Sequence, residues 1–227
     1  MIERLADLVA ERAGAQGTAL MVGIAGGVGV GKTTLAAALA GALQARDLDA
    51  LVLATDGFLF PNEELARRGL LMQKGFPASY DVAALRRAVE TLRRREPAEV
   101  PVYDHLTYDV LGAPLRVEPA DVVLLEGVNA LQPDVADLCD LSVFVDVDNG
   151  DARRWFVERF AELCETGEGF YAAFAAMTAA ERREVAEAAW SGINLVNLET
   201  HILPTRDRAD VVVRKARDHS IVDVRTR

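Results

Sequence analysis

The chain has 227 residues, is 51% hydrophobic and 26% charged, and carries a net charge of -10. That length and apolar share can bury a full core as one large α/β domain spanning residues 1–227. The acidic balance argues against general affinity for nucleic acid or for an anionic membrane, although a local cationic loop can still hold a polyphosphate.

Residues 2–13 read as a short amphipathic N-terminal helix within segment 1–17. It mixes both charge signs and has no basic stretch leading into an apolar one, so it is not a signal peptide. Apolar runs at 19–25, 50–54, 121–125, 141–146 and 210–214 read as strands; helical patterns fall at 33–46, 81–95, 151–164 and 179–200. Their alternation predicts crossover units, a mainly parallel central sheet and helices on both of its faces. The runs Val122–Leu125 and Leu141–Val145 are nearly unbroken, as strands buried on both faces require. Arg93, Arg94 and Arg95 close the 81–95 helix and read as solvated cations at its negative end. Thr178 and Glu181 form a capping-box pattern before the last helix. Cys139 and Cys164 have no metal-ligand spacing and read as free thiols in a reducing compartment, hence a cytoplasmic protein. No run is long and apolar enough to span a membrane.

One motif dominates. Gly26-Gly27-Val28-Gly29-Val30-Gly31-Lys32-Thr33 is a complete G-x-x-x-x-G-K-[ST] loop between a predicted strand and a predicted helix. Its glycines let consecutive N–H groups curl around an anion at a helix N-terminus, where Thr34 continues the cradle. Lys32 is expected to reach the β- and γ-phosphates of ATP, and the Thr33 hydroxyl to take a place on Mg²⁺. The motif predicts a three-layer P-loop NTPase fold and nucleoside triphosphate binding.

The less regular stretches 55–80 and 103–116 fall where open parallel sheets carry ligand-binding loops. Asp56 ends the run Leu51–Ala54 and precedes Gly57. It can accept a substrate proton or hold Mg²⁺ through water, and it equally suits a turn-forming Asp-Gly pair. Glu126 ends a second apolar run and fits the acid that supports Mg²⁺ in phosphate-loop enzymes. Arg153, Arg154 and Arg159 share a helix within a predicted helical lid at 151–203, and one of them can neutralise charge during phosphoryl transfer. Tyr103, His105 and Tyr108 lie in one loop whose composition suits a polar small-molecule pocket.

Together these segments closely resemble bacterial type I pantothenate kinases of the phosphoribulokinase/uridine kinase superfamily. The matching blocks are Gly26–Thr33, Thr55–Asn62, Lys74–Asp81, Pro101–Asp109, Leu125–Asn129, Trp155–Phe160, Ile193–Leu198 and Ile202–Arg206, in family order. The resemblance implies transfer of the ATP γ-phosphate to the primary hydroxyl of pantothenate, the first step toward coenzyme A. It implies that Asp56 is the catalytic base, that Tyr103, His105, Arg159 and Asn194 contact pantothenate, that His219 packs on adenine, and that the protein is a homodimer.

Three departures stand out. Residues 1–17 replace a long helical N-terminal extension, which implies a different nucleotide site or dimer there. Phe156 stands where the family has a substrate-contacting tyrosine, and Ala37 where it has an arginine used in feedback inhibition by coenzyme A. A related kinase acting on another small hydroxyl compound, such as a nucleoside or sugar acid, therefore stays open, with a nucleotide-dependent switch behind it. Uridine kinases typically carry an arginine a few residues after their Pro-x-Tyr-Asp block, and His105–Asp109 has none.

Overall fold

The computed structural model describes residues 1–13 and 17–227; the remainder of the N-terminal segment lies outside the described residues. Helix α1 (Ile2–Ala13) is followed by β1 (Leu20–Gly26), α2 (Lys32–Gln44), β2 (Ala50–Ala54), α3 (Asn62–Arg67) and α4 (Val82–Arg93). The short strands β3 (Ala98–Val100), β4 (Tyr103–Asp104), β5 (Asp109–Val110) and β6 (Leu115–Val117) come next. Then follow β7 (Val122–Glu126), α5 (Pro133–Ala136), β8 (Leu141–Asp146), α6 (Asn149–Thr166), α7 (Ala179–Ala189), α8 (Leu195–Asn197), α9 (Leu203–Arg206), β9 (Val211–Lys215) and β10 (Ile221–Thr226).

The main sheet runs in the order β10-β9-β8-β1-β7-β2. All its pairs are parallel except β10 with β9. Period-two alternation divides its side chains between two cores. Leu20, Val22 and Ile24 of β1 face a cluster that holds Leu5 and Val9 of α1 and Leu39 and Leu43 of α2. Met21 and Ala25 face the other, with Leu85, Val89 and Leu92 of α4 and with Leu198 and Ile202. The α/β expectation holds: a mainly parallel sheet lies between two helical layers.

Several local expectations are corrected. The pattern over 179–200 is not one α-helix. It passes from α7 through π turns at Trp190–Asn194 and Leu198–Ile202 and ends at Arg206. Extra residues in those turns rotate the helical face, which keeps Trp190, Leu198 and Ile202 buried along an otherwise polar stretch. Strand β10 has no apolar run because it is an edge strand, and only its Val224 is buried. The 103–116 stretch, expected to be irregular, contains the small β4–β5 pair. Arg93, expected to be solvated, donates to the Asp140 carboxylate at 2.9 Å and to the Leu138 carbonyl at 2.5 Å. The capping box forms as expected, Thr178 and Glu181 each satisfying the other's backbone N–H.

Candidate active site

The loop after β1 has the backbone that its glycines allow. Gly29 and Gly31 have φ of 74° and 81°, in the left-handed region that β-carbons disfavour. Gly31 is the N-cap of α2 and makes no side-chain cap, so the first N–H groups of the helix stay open to an anion. Val30 anchors the loop in the α2-side core, and Val28 packs against the opposite one. Lys32 folds back over the loop and donates to the Gly27 carbonyl at 2.8 Å. Burial pushes its pKa down, while the charges of Glu126 and Asp56 oppose that shift. Thr33 and Thr34 sit exposed on the first helical turn.

Strand pairing brings the two acids to this loop. Glu126, the last residue of β7, is in register with Ile24 of β1 on one side and Ala54 of β2 on the other. It accepts a hydrogen bond from the Thr33 hydroxyl at 2.8 Å. Burial raises its pKa, and Lys32 and Thr33 pull it back. Asp56 lies just past Ala54, in the single turn Thr55–Phe58. Two glycines permit the close packing here. A methyl on Gly127 would strike the Thr55 side chain, and one on Gly57 would strike the Pro101 carbonyl. Gly57 thereby lets the loop that begins at Pro101 reach Asp56. Asp56 and Gly57 do form a turn, and the Asp56 carboxylate is half-buried, its Oδ1 accepting from the buried Tyr80 hydroxyl at 3.0 Å.

The aromatic loop forms one cluster. Tyr103 meets His105 edge-on at 5.1 Å and Tyr108 at 6.0 Å, and Tyr108 stacks on Phe170 at 4.5 Å. His105 is exposed. Lys74 closes the cluster: its ammonium donates to Asn62 Oδ1 and to the Tyr108 carbonyl, 4.9 Å from the Tyr103 ring centre. The Asn129 and Asn197 side-chain amides both donate to the Gly75 carbonyl, at 2.8 and 2.9 Å, and so hold the loop that presents Lys74.

The three helix arginines separate. Arg153 pairs with Glu187, and Arg154 with Asp151 and the Arg217 carbonyl. Arg159 has no ion-pair partner among the described residues, is exposed, and contributes to the fields at Lys32 and Tyr171. Phe156 lies against the loop, its backbone and Cβ 3.8–3.9 Å from where a Gly29 side chain would begin. Asn194 is half-buried, four residues before Leu198, which packs over Gly27. His219 stacks on Trp155 with ring centres 3.8 Å apart. Ala37 is exposed one turn beyond Thr33 on α2.

Reasoning from sequence missed Tyr80, Lys74 and Lys215 as members of this region. A signal was present: the chain has three lysines, Lys32, Lys74 and Lys215, and all three come to the phosphate loop or the aromatic cluster.

The phosphoribulokinase/uridine kinase family matches residues 21–155. Pantothenate kinase of Rhizobium rhizogenes is 41% identical, over 92% of this chain and 69% of its own length. That of Clavibacter michiganensis is 42% identical, over 92% and 70%. Among solved structures, a candidate fructose transport system kinase from a Silicibacter species superposes with a TM-score of 0.76 at 26% identity. It covers 92% of this chain and 95% of that one. D-glycerate 3-kinase from Cryptococcus neoformans shares the fold, with a TM-score of 0.72 at 16% identity, covering 100% and 99%. With a complete phosphate loop, two acids at the ends of adjacent strands and these relatives, the chain belongs to the phosphoribulokinase/uridine kinase family and is an ATP-dependent phosphotransferase.

Proposed function

We propose that the chain transfers the γ-phosphate of ATP to the primary hydroxyl of pantothenate. The observation that carries this reading is the Asp56 carboxylate, held by Tyr80 beside Lys32 and the Thr33–Glu126 pair. The pantothenate kinases at 41% and 42% identity supply the acceptor. In this reading Asp56 takes the proton of the acceptor hydroxyl as its oxygen attacks the γ-phosphorus. The bond from γ-phosphorus to the bridging oxygen breaks, and ADP leaves. Lys32 and Arg159 balance charge on the phosphoryl oxygens. The acceptor lies against Tyr103, His105, Tyr108, Phe156 and Asn194, the base packs on His219, and the helical stretch 151–203 serves as a lid.

The hard oxygen donors of Thr33 and Glu126 suit Mg²⁺, which neutralises phosphate charge when bound. Among the described residues no group of three His, Cys, Asp or Glu side chains could hold a metal unaided. Phosphate oxygens and water would therefore complete its shell. The reading includes a cytoplasmic homodimer acting on a small molecule, with neither nucleic acid nor membrane as partner. No helix among the described residues is long and apolar enough to cross a membrane.

A second reading, a kinase for another small hydroxyl compound, is favoured by Phe156, which lies beside the phosphate loop at Gly29 and has no hydroxyl to offer an acceptor. The likeness to the candidate fructose transport system kinase points the same way. Purified protein with ATP and Mg²⁺ is assayed against pantothenate, nucleosides, sugars and glycerate. Preferred turnover of pantothenate supports the first reading; a pantothenate blank beside clear turnover of another acceptor selects the second.

A further inference from the structure

Lys215 ends β9 and is buried as a residue, with 9% of its surface exposed. It donates to the Val30 carbonyl at 3.0 Å, and a side chain started at Gly31 would meet its nitrogen at 2.5 Å. Thr34 Oγ1 lies 4.0 Å from that same point. Neither Lys32 nor Lys215 has a carboxylate within ion-pair distance among the described residues, but Lys32 feels the charges of Glu126 and Asp56, whereas burial alone acts on Lys215. The Trp155 ring is centred 5.8 Å from its nitrogen. A buried ammonium with three donors, one carbonyl acceptor and no anion is costly unless an anion binds beside it. The Trp155 Nε1 hydrogen, also buried, has no acceptor either.

Position selects the anion. Lys215 lies between the phosphate loop on one side and the Trp155–His219 aromatic stack on the other. In a nucleotide whose base meets that stack and whose terminal phosphates meet Lys32, the group spanning this gap is the α-phosphate. We infer that Lys215 is a second phosphate-binding lysine and contacts the α-phosphate of the nucleotide. This rests on the nucleotide-binding reading of the loop and adds a residue to it. The function is binding rather than chemistry, because the α-phosphate gains no charge during transfer of the γ-phosphoryl group.

The experiment titrates ATP, ADP and adenosine into wild type, Lys215→Met and Lys215→Arg, with steady-state kinetics alongside. Lys215→Met is expected to weaken ATP and ADP by the same factor, about tenfold or more, as loss of a charge-assisted hydrogen bond does. Adenosine affinity and kcat at saturating ATP stay within about twofold, and Lys215→Arg recovers most of the loss. Unchanged ATP and ADP affinity overturns the assignment, as does a loss that extends equally to adenosine or is confined to ATP. Should Lys215→Met fail to fold, wild type labelled with ¹³C at lysine Cε provides the test, since its three lysines give three resonances. The Lys215 resonance must move with ADP and stay put with adenosine, and a Lys215 signal indifferent to ADP defeats the inference. Failure of the wild type to bind ATP at all would instead strike the nucleotide reading itself, so the two failures are distinguishable.

Discussion

The Tyr80 hydroxyl donates to Oδ1 of Asp56 at 3.0 Å, Asp56 lying in the turn Thr55–Phe58 and Tyr80 just after the turn Pro77–Ser79. Burial, then the Asp56 charge, pushes the Tyr80 pKa well up, so the phenol stays protonated and donates throughout the working pH range. One carboxylate oxygen is thereby fixed, which in the proposed reaction leaves the other for the acceptor. If Asp56 is the base, as proposed, Tyr80 is a positioning residue that orients it without touching the reacting atoms.

Tyr80→Phe removes this donor and keeps the ring. The expected result is a fall in kcat of about 3–10-fold, from the loss of roughly 1 kcal/mol of orientation, with KM for ATP unchanged. A rise in KM for ATP with kcat intact would assign Tyr80 to nucleotide binding instead.

Much of this arrangement was legible in the sequence, and the limit was physical. The phosphate loop, the five parallel strands and the two acids follow from local patterns, because glycine spacing and apolar runs are written in adjacent residues. Tyr80 reaches Asp56 across 24 positions. Lys215 reaches Val30 across 185. No periodicity encodes such contacts. Strand β10 escaped notice because an edge strand with one buried side chain resembles a polar loop. The aromatic loop was recognised by composition, whereas its stacking on Phe170 needed the chain folded.

Glu126 carries opposing demands. Burial raises its pKa from the ordinary glutamate value, although Lys32 and Thr33 pull it back, so its ionisation opposes folding. The sign follows from linkage. Its contribution to stability is complete below the unfolded-state value and is lost as pH rises through the raised folded value. Glu126→Gln is therefore expected to raise Tm at neutral pH while weakening Mg²⁺-dependent activity about 10–100-fold. In the wild type, activity at limiting Mg²⁺ falls as pH drops through the raised value, and added Mg²⁺ moves that midpoint lower. A pH profile insensitive to Mg²⁺ would remove Glu126 from the metal site.

Phe156 packs beside Gly29 and offers no hydrogen bond. Phe156→Tyr is expected to lower KM for pantothenate by up to about tenfold, the value of one recovered hydrogen bond, with kcat little changed. An unchanged or raised KM would show that the acceptor does not reach this ring.

Ala37 leaves the surface one turn past Thr33 without charge or donor. The family resemblance implies inhibition by coenzyme A in competition with ATP, and here that inhibition is expected to be weak. Ala37→Arg should strengthen it roughly ten- to hundredfold, as a charge-assisted contact to phosphate does. Tight ATP-competitive inhibition of the wild type would mean that other groups bind the inhibitor's phosphates.

The central claim is that Asp56 accepts the acceptor's proton, and Asp56→Asn tests it most directly. The amide keeps the shape, can still accept from Tyr80 and cannot take the proton. Measured with pantothenate, ATP and Mg²⁺, kcat is predicted to fall ~10²–10⁴-fold while the dissociation constant for ATP stays within about twofold. A drop in kcat below about tenfold, accompanied by collapse of ATP binding, would contradict the account and make Asp56 a metal or structural residue.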